Sequence, residues 1–334
     1  MKYFKIILFL FLTLNFSLSF SASDCLEIAS KIINSNAKIK ASDYKRPFKR
    51  DLDGYVRFLG LSYSNKHDSL KKGSVVFDVG AGLGVASLED STHDLKVFAI
   101  NAQNFWEDLK MAPLSDSYDT PAVTIEDLAY MFKVPLDDIK LGKEKVWSHE
   151  LGKEITRPTM QKLKRKQREI VRERVFEFIE KQKSAKAYHY LVGFAEDQLP
   201  PITYKADLIR DLYGAYFYSA DKLLLLDLYY SKLKKSGQAF IRLSTSTGDS
   251  AQSFIEINAK KSMSFEKYLI ENYPNVFSIE SASQGQVLVM KKDPELESLG
   301  LSSIFELMSE KIKMRRMNET EVPEAWFKKK KAKK

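Results

Sequence analysis

Cysteine is nearly absent: the chain of 334 residues has one, Cys25. No disulfide can form within the chain, so any case for an oxidising compartment must come from elsewhere in the sequence. Ala22, Ser23 and Asp24 do not supply the leucine and small residue usual before a lipid-attachment cysteine, so Cys25 reads as an ordinary thiol. Histidine is almost as scarce, and His67, His93, His149 and His189 lack ligand-like spacing, which leaves no sequence-evident metal site. Neither a GxSxG turn nor a Cys/His arrangement occurs, so nucleophilic hydrolase chemistry has no candidate. There is no internal repeat.

What is present is a folding composition, with 44% apolar and 12% aromatic residues, enough to bury the core of one enlarged domain. The net charge of +9 is unevenly spread: residues 157–186 hold eleven Lys/Arg against four Glu, and residues 308–334 hold ten against four acids. The remainder is therefore near −4. Local basicity of this kind suits a polyanion or an anionic membrane, and it equally suits solvated helix faces and a loose tail. The spacing predicts a helix over 158–183, started by Pro158 in its first turn, with Leu163, Ile170, Val171, Val175, Phe178 and Ile179 on one face. Lys162, Arg165, Lys166 and Arg172 spread over its outer faces and mark the candidate surface for an anionic partner.

The first 23 residues read as a secretory signal peptide: Lys2 and Lys5, an apolar run, then small residues ending at Ser21 and Ser23. As a helix, residues 6–20 would span about 22 Å, short of the ~30 Å hydrocarbon core, so cleavage is expected and a membrane anchor is the alternative. The mature chain is then exported, to a periplasm or to the outside, without a transmembrane helix. Residues 24–69 carry two short helical patterns, a cap on the main domain.

From residue 74 onward strands alternate with helices, which is the pattern of an open parallel sheet. Strands are expected over 74–79, 95–101, 188–193 and 207–211, then after KKSG, and finally in FSIES and GQVLVMKK, a hairpin that makes the last strand antiparallel. Helices are expected over 221–233 and 264–272. Residues 102–157 break the alternation and read as an insertion forming a lid or substrate wall beside the carboxyl ends of the strands. Residues 293–334 read as a helical, basic tail.

The stretch VVFDVGAGLGVASLE places Gly80, Gly82 and Gly84 at alternate positions after Asp78. Glycines there let the chain turn tightly, approach a ligand closely and present amides at a helix start. A nicotinamide fingerprint would need a small residue at position 85, where Val85 stands.

This segment resembles the first motif of the class I S-adenosylmethionine-dependent methyltransferases, in particular the small-molecule enzymes. GFAEDQLPPITYKADLIRD and LDLYYSKLKKSGQAFIRL are similar to later passages of that family, over residues 70–292 in all. The resemblance implies a Rossmann-like, seven-stranded, mostly parallel sheet with a final antiparallel hairpin and helices on both faces. It implies S-adenosylmethionine as cofactor, held at Asp78, Gly80, Ala81, Gly82 and Gly84, with Asn101 at the ribose and Phe194 and Ala195 at the adenine. Asp211 would orient the acceptor or act as base, and Tyr216 would wall the sulfonium. Alternatively Arg210 and Asp211 pair internally and the tyrosines pack the sheet.

Two departures bear on function. Asn101 stands where the family places an acid that accepts from both ribose hydroxyls, and Phe194 stands where it places an aspartate. Export also separates the domain from a cytosolic cofactor. The expectation is a methyltransferase of unknown acceptor; the alternative is an exported, non-catalytic binding protein on the same scaffold. An oxidoreductase fits less well because of Val85 and the closing hairpin.

Overall fold

The structure, a computed structural model, describes residues 52–82, 84–102, 142–148, 153–159, 187–243, 253–258, 261–282, 285–317 and 320–331, with Glu173, Phe176, Glu177 and Glu180. The expected leader, most of the insertion and most of the basic stretch lie outside these residues.

Two helices come first, α1 (Leu52–Leu59) and α2 (Leu61–Asp68), then β1 (Val75–Val79), α3 (Val85–Thr92) and β2 (Lys96–Asn101). A hairpin of β3 (Gly142–Ser148) and β4 (Lys153–Thr159) precedes β5 (Tyr188–Val192), α4 (Ala195–Gln198) and β6 (Ala206–Asp211). Next are α5 (Ala215–Tyr218), α6 (Lys222–Lys232), β7 (Leu233–Arg242), β8 (Ser253–Asn258), β9 (Lys261–Ser264) and α7 (Phe265–Asn272). β10 (Phe277–Ala282), β11 (Gly285–Lys291), α8 (Leu301–Ile304), β12 (Phe305–Leu307), β13 (Lys313–Met317) and β14 (Thr320–Lys329) complete the described elements.

Seven strands form the main sheet in the order β10-β11-β7-β6-β1-β2-β5. Of its six pairings the four from β7 through β6, β1 and β2 to β5 are parallel, and the two that add β11 and β10 beside β7 are antiparallel. This is the expected Rossmann-like sheet with its terminal hairpin, and the order reverses between β1 and β6, the switch point where open α/β sheets take ligands. All five residues of β1 are buried because helices cover both faces. Alternation divides the strand: Val75, Phe77 and Val79 join one core with α4 to α8, while Val76 joins a second with α1, α2 and α3. Two helix starts are capped by side chains, the Asp221 carboxylate accepting from Leu224 N at 3.1 Å before α6 and the Ser264 hydroxyl from Lys267 N at 3.1 Å before α7.

Three expectations are corrected. Pro158 lies in β4, opposite Lys143, so the insertion extends beyond residue 157 and no helix starts there. A two-stranded ribbon has free edges on which the missing proline N–H costs nothing, so Pro158 suits it as well as a first helical turn. Glu173, Phe176, Glu177 and Glu180 are helical, and Phe176 packs against the second core. The tail is mainly strands rather than helix: β14 pairs in parallel with β8 and antiparallel with β12 and β13, and with β9 they make a second, five-stranded sheet. Ile255, Phe305, Ala325 and Phe327 fix it to the first core beside Phe265 and Leu269. No helix among the described residues is long and apolar enough to cross a membrane.

Candidate functional site

Gly80, Gly82 and Gly84 all adopt left-handed φ, at 71°, 61° and 67°. This is the conformation the motif foretells, yet the bare faces of two of them are filled by the protein. A Cβ on Gly80 would lie 2.2 Å from the Cα of Gly214, and one on Gly84 would lie 2.5 Å from the Tyr188 hydroxyl. The first glycine lets the β1 turn cross the β6 turn, and the third lets α3 press against β5. The amides are also committed: Gly80 and Ala81 both donate to the Ile100 carbonyl, at 2.8 and 3.2 Å, and Gly84 donates to the Ala81 carbonyl at 3.0 Å. The expected row of amides offered to a ligand is spent inside the loop.

Gly82 differs, because side chains hold it. Its amide donates to Asn101 Oδ1 at 3.2 Å, and its carbonyl accepts from the Tyr190 hydroxyl at 2.9 Å. Asn101 Nδ2 donates to the same Tyr190 oxygen at 3.4 Å, closing a ring of three hydrogen bonds. Asn101 ends β2 and is buried, and Tyr190 is half-buried on β5.

Asp78 does not face the loop's open side. Alternation turns it toward α3, where Oδ1 accepts from the Tyr55 hydroxyl and Oδ2 from the Ser87 hydroxyl, each at 2.5 Å. Its register partner on β6 is Arg210, which donates to Asp78 Oδ2 at 2.8 Å and to the Tyr63 hydroxyl at 3.0 Å. The guanidinium also lies 2.8 Å from Asp90 Oδ2 and 4.2 Å from the centre of the Tyr55 ring, and Asp90 Oδ1 meets His67 Nε2 at 2.7 Å. Arg210, Asp78 and Asp90 are all fully buried. This network fastens α1, α2 and α3 to the sheet, and it engages both oxygens of Asp78, the residue expected at the cofactor.

Asp211, next along β6, points to the opposite face, so it does not pair with Arg210. Its oxygens accept from Gly214 N and Tyr216 N, both at 2.8 Å, and from the Tyr229 hydroxyl at 2.7 Å. All these contacts build the turn after β6, and the carboxylate is buried. Tyr216 is fully buried too, donating to Glu266 Oε1 at 3.0 Å. The two residues expected to act in catalysis are packed beneath the turn instead. What that turn presents at the edge is Tyr213, a non-glycine residue at φ 53°, half-buried, with Phe58 and Phe217 edge-on at 6.1 and 5.4 Å. Phe194 caps α4 in an extended conformation and is half-buried at the end of β5; Ala195 is buried in the first core.

Behind the turn, Lys222 is fully buried, 4.7 Å over the Tyr216 ring. Burial lowers its ammonium to about 8 against the pull of Glu266 and Asp211, and burial raises the Glu266 carboxyl. Because the folded value lies below the ordinary 10.5, the unfolded chain binds the extra proton between pH 8 and 10.5, and this group's contribution to stability rises with pH in that window. Urea midpoints compared with Lys222→Met should show the natural protein gaining on the variant by on the order of 1–2 kcal/mol between pH 8 and 9.5. Parallel curves would mean that the lysine keeps an ordinary ammonium in the folded protein.

Sequence reasoning missed Tyr188, Tyr190 and Gly214. The alternation of YHYLV places both tyrosines on one face of β5, but only the pairing of β5 with β2 shows that this face meets the glycine loop. Among the described residues, no group of His, Cys, Asp or Glu can hold a metal ion.

No protein-family model matches the sequence, and no curated protein matches it. Among solved structures, the chain is similar to precorrin-6y C5,15-methyltransferase of Geobacter metallireducens, at 11% identity and TM-score 0.32, over 69% of this chain and 87% of that one. A TehB-like SAM-dependent methyltransferase of Corynebacterium glutamicum is similar at 11% identity and TM-score 0.33, over 69% and 86%. An rRNA methylase of Streptococcus thermophilus gives 11% and 0.33, over 69% and 94%. Likeness at this level carries no argument about chemistry, and the fold rests on the strand pairings of the chain itself.

Proposed function

We propose that this chain binds S-adenosylmethionine at the carboxyl edge of β1 and β2 and is a methyltransferase. The observation that supports this reading best is the left-handed glycine loop at the switch point of a sheet ordered β10-β11-β7-β6-β1-β2-β5. The residues fit the cofactor in part. With Gly80 and Gly84 taken up by packing, Gly82 is the backbone position left for the ligand, and Asn101 beside it offers an amide oxygen and an amide N–H to a ribose. Phe194 supplies a flat apolar surface for the base. S-adenosylmethionine supplies an electrophilic methyl group on sulfur, so the protein has only to hold donor and acceptor in line and keep water out. Tyr213, held by Phe58 and Phe217, is the side chain positioned at that edge, and it replaces Asp211 and Tyr216 as the residue placed to meet an acceptor.

A second reading, a binding domain without catalysis, is favoured by the burial of Asp211 and Tyr216 and by the uncharged Asn101. Calorimetric titration of the full chain with S-adenosylhomocysteine tests both. Saturable binding is expected, lost in Gly82→Val and strengthened about five- to tenfold in Asn101→Asp, through hydrogen bonds to a charged acceptor. Absence of binding to the folded natural protein sinks the cofactor reading. Binding by a protein that then leaves the methyl group of S-adenosylmethionine untransferred across an acceptor panel favours the second.

A further inference from the structure

We infer that Asn101 and Tyr190 form a latch that closes the glycine loop, and that ribose hydroxyls release it by taking the place of the Tyr190 hydroxyl. The inference rests on the donor-site reading above for its ligand, and on the hydrogen bonds of the loop for its mechanism.

The loop is held in two different ways. Gly80, Ala81 and Gly84 are held by main-chain carbonyls, which move only if the sheet or the turn itself comes apart. Gly82 is held by two side chains, Asn101 at its amide and Tyr190 at its carbonyl. A side chain can rotate away without disturbing any strand pairing, so position 82 is where the loop can change at low cost. The two side chains are also bonded to each other, with Asn101 Nδ2 donating to the Tyr190 oxygen. Each member of the ring therefore orients the others, and losing one contact weakens the remaining two.

Tyr190 is placed for this role by β5. Its ring passes Gly84, where a Cβ would lie 3.7 Å from Tyr190 Cδ2, and its hydroxyl reaches on to Gly82. The tyrosine thus lies along the loop in ordinary van der Waals contact with it. A pair of vicinal hydroxyls carries both donors and acceptors, so one of them can accept from Asn101 Nδ2 as the phenol does now. The phenol then turns out, and the Gly82 carbonyl loses its donor to the ligand side. A carboxylate at position 101 has no N–H to give the phenol and cannot form this ring, which gives the asparagine a function that the acid could not serve. Tyr190 is accordingly a positioning residue: it acts on the ligand through Asn101 and Gly82.

Tyr190→Phe keeps the ring and removes the hydroxyl. Amide exchange over residues 80–84, read by mass spectrometry, should speed up about tenfold while the melting temperature of the protein stays within a few degrees. The affinity for S-adenosylhomocysteine should rise about five- to tenfold, because the competing contact is gone. Asn101→Ala should also speed exchange but should weaken binding at least tenfold, since it removes the group the ribose uses. The same sign on exchange with opposite signs on affinity supports the latch. Unchanged exchange in both variants overturns it, as does weaker binding in Tyr190→Phe. If neither protein binds S-adenosylhomocysteine and exchange still rises in both, the loop contacts stand as described and it is the donor-site reading, with the ribose release, that fails.

Discussion

Gly80→Ala is expected to destabilise the protein by about 3–5 kcal/mol, enough to remove much of the ~5–15 kcal/mol that holds a typical domain folded. A left-handed L-residue costs roughly 1–2 kcal/mol, and forcing a carbon into a filled space costs about 1–3 kcal/mol more. The new Cβ would stand 2.2 Å from a backbone atom, Gly214 Cα, which cannot swing aside as a side chain would. The obstruction is mutual, for a Cβ on Gly214 would lie 2.3 Å from the Val79 carbonyl and 2.9 Å from Gly80 Cα. Gly73→Ala is the control, since Gly73 has φ 80° but nothing within 4 Å of its Cβ position. It should lose only the conformational part, about 1–2 kcal/mol. Urea midpoints that fall equally in the two variants would show that the β1 and β6 turns do not interlock.

Arg210→Met should be of similar size, about 3–5 kcal/mol, because it strands two carboxylates, Asp78 and Asp90, with the charge between them removed. Apolar volume is nearly conserved, so the loss reports charge rather than packing. The triple variant Arg210→Met, Asp78→Asn, Asp90→Asn should recover at least half of it, since neutral amides keep hydrogen bonds to Tyr55, Ser87 and His67 without a buried net charge. Strong non-additivity of this sort is the mark of a connected cluster. A triple variant as weak as the single one would locate the loss in shape, and the ionic reading would go.

Strands were legible wherever apolar alternation met glycine turns, and every strand of the main sheet lies within a few residues of its expected place. The glycines were read as needing bare backbone, and their φ angles agree. What needs that bareness was not legible, because Gly214 and Tyr188 are remote in sequence and reach the loop only through the β1–β6 and β2–β5 pairings. Arg210 and Asp211 show the same limit. Adjacent residues on a strand face opposite ways, so a pair that reads as an ion pair in sequence is divided by the sheet, and Arg210 finds its partner across the register in Asp78. In the tail, the many lysines obscured a period of two: Ala325 and Phe327 face the core while Trp326 and Lys328, alternating with them, are more exposed.

The parallel pairing of β8 with β14 sets an order of events during synthesis. Residues 277–291 complete the main sheet as a unit once they emerge, β11 pairing with β7, already made, and β10 with β11. β8 emerges before them but lacks its central neighbour until residues 325–328 are translated. At ~5–20 residues per second, roughly 70 residues of waiting is several seconds in which the edge of β8, with Phe254, Ile255 and Ile257 along it, is unpaired. Residues 325–328 therefore close the second sheet of the newborn chain, and a chain terminated shortly before residue 325 has a finished main sheet and an adhesive edge.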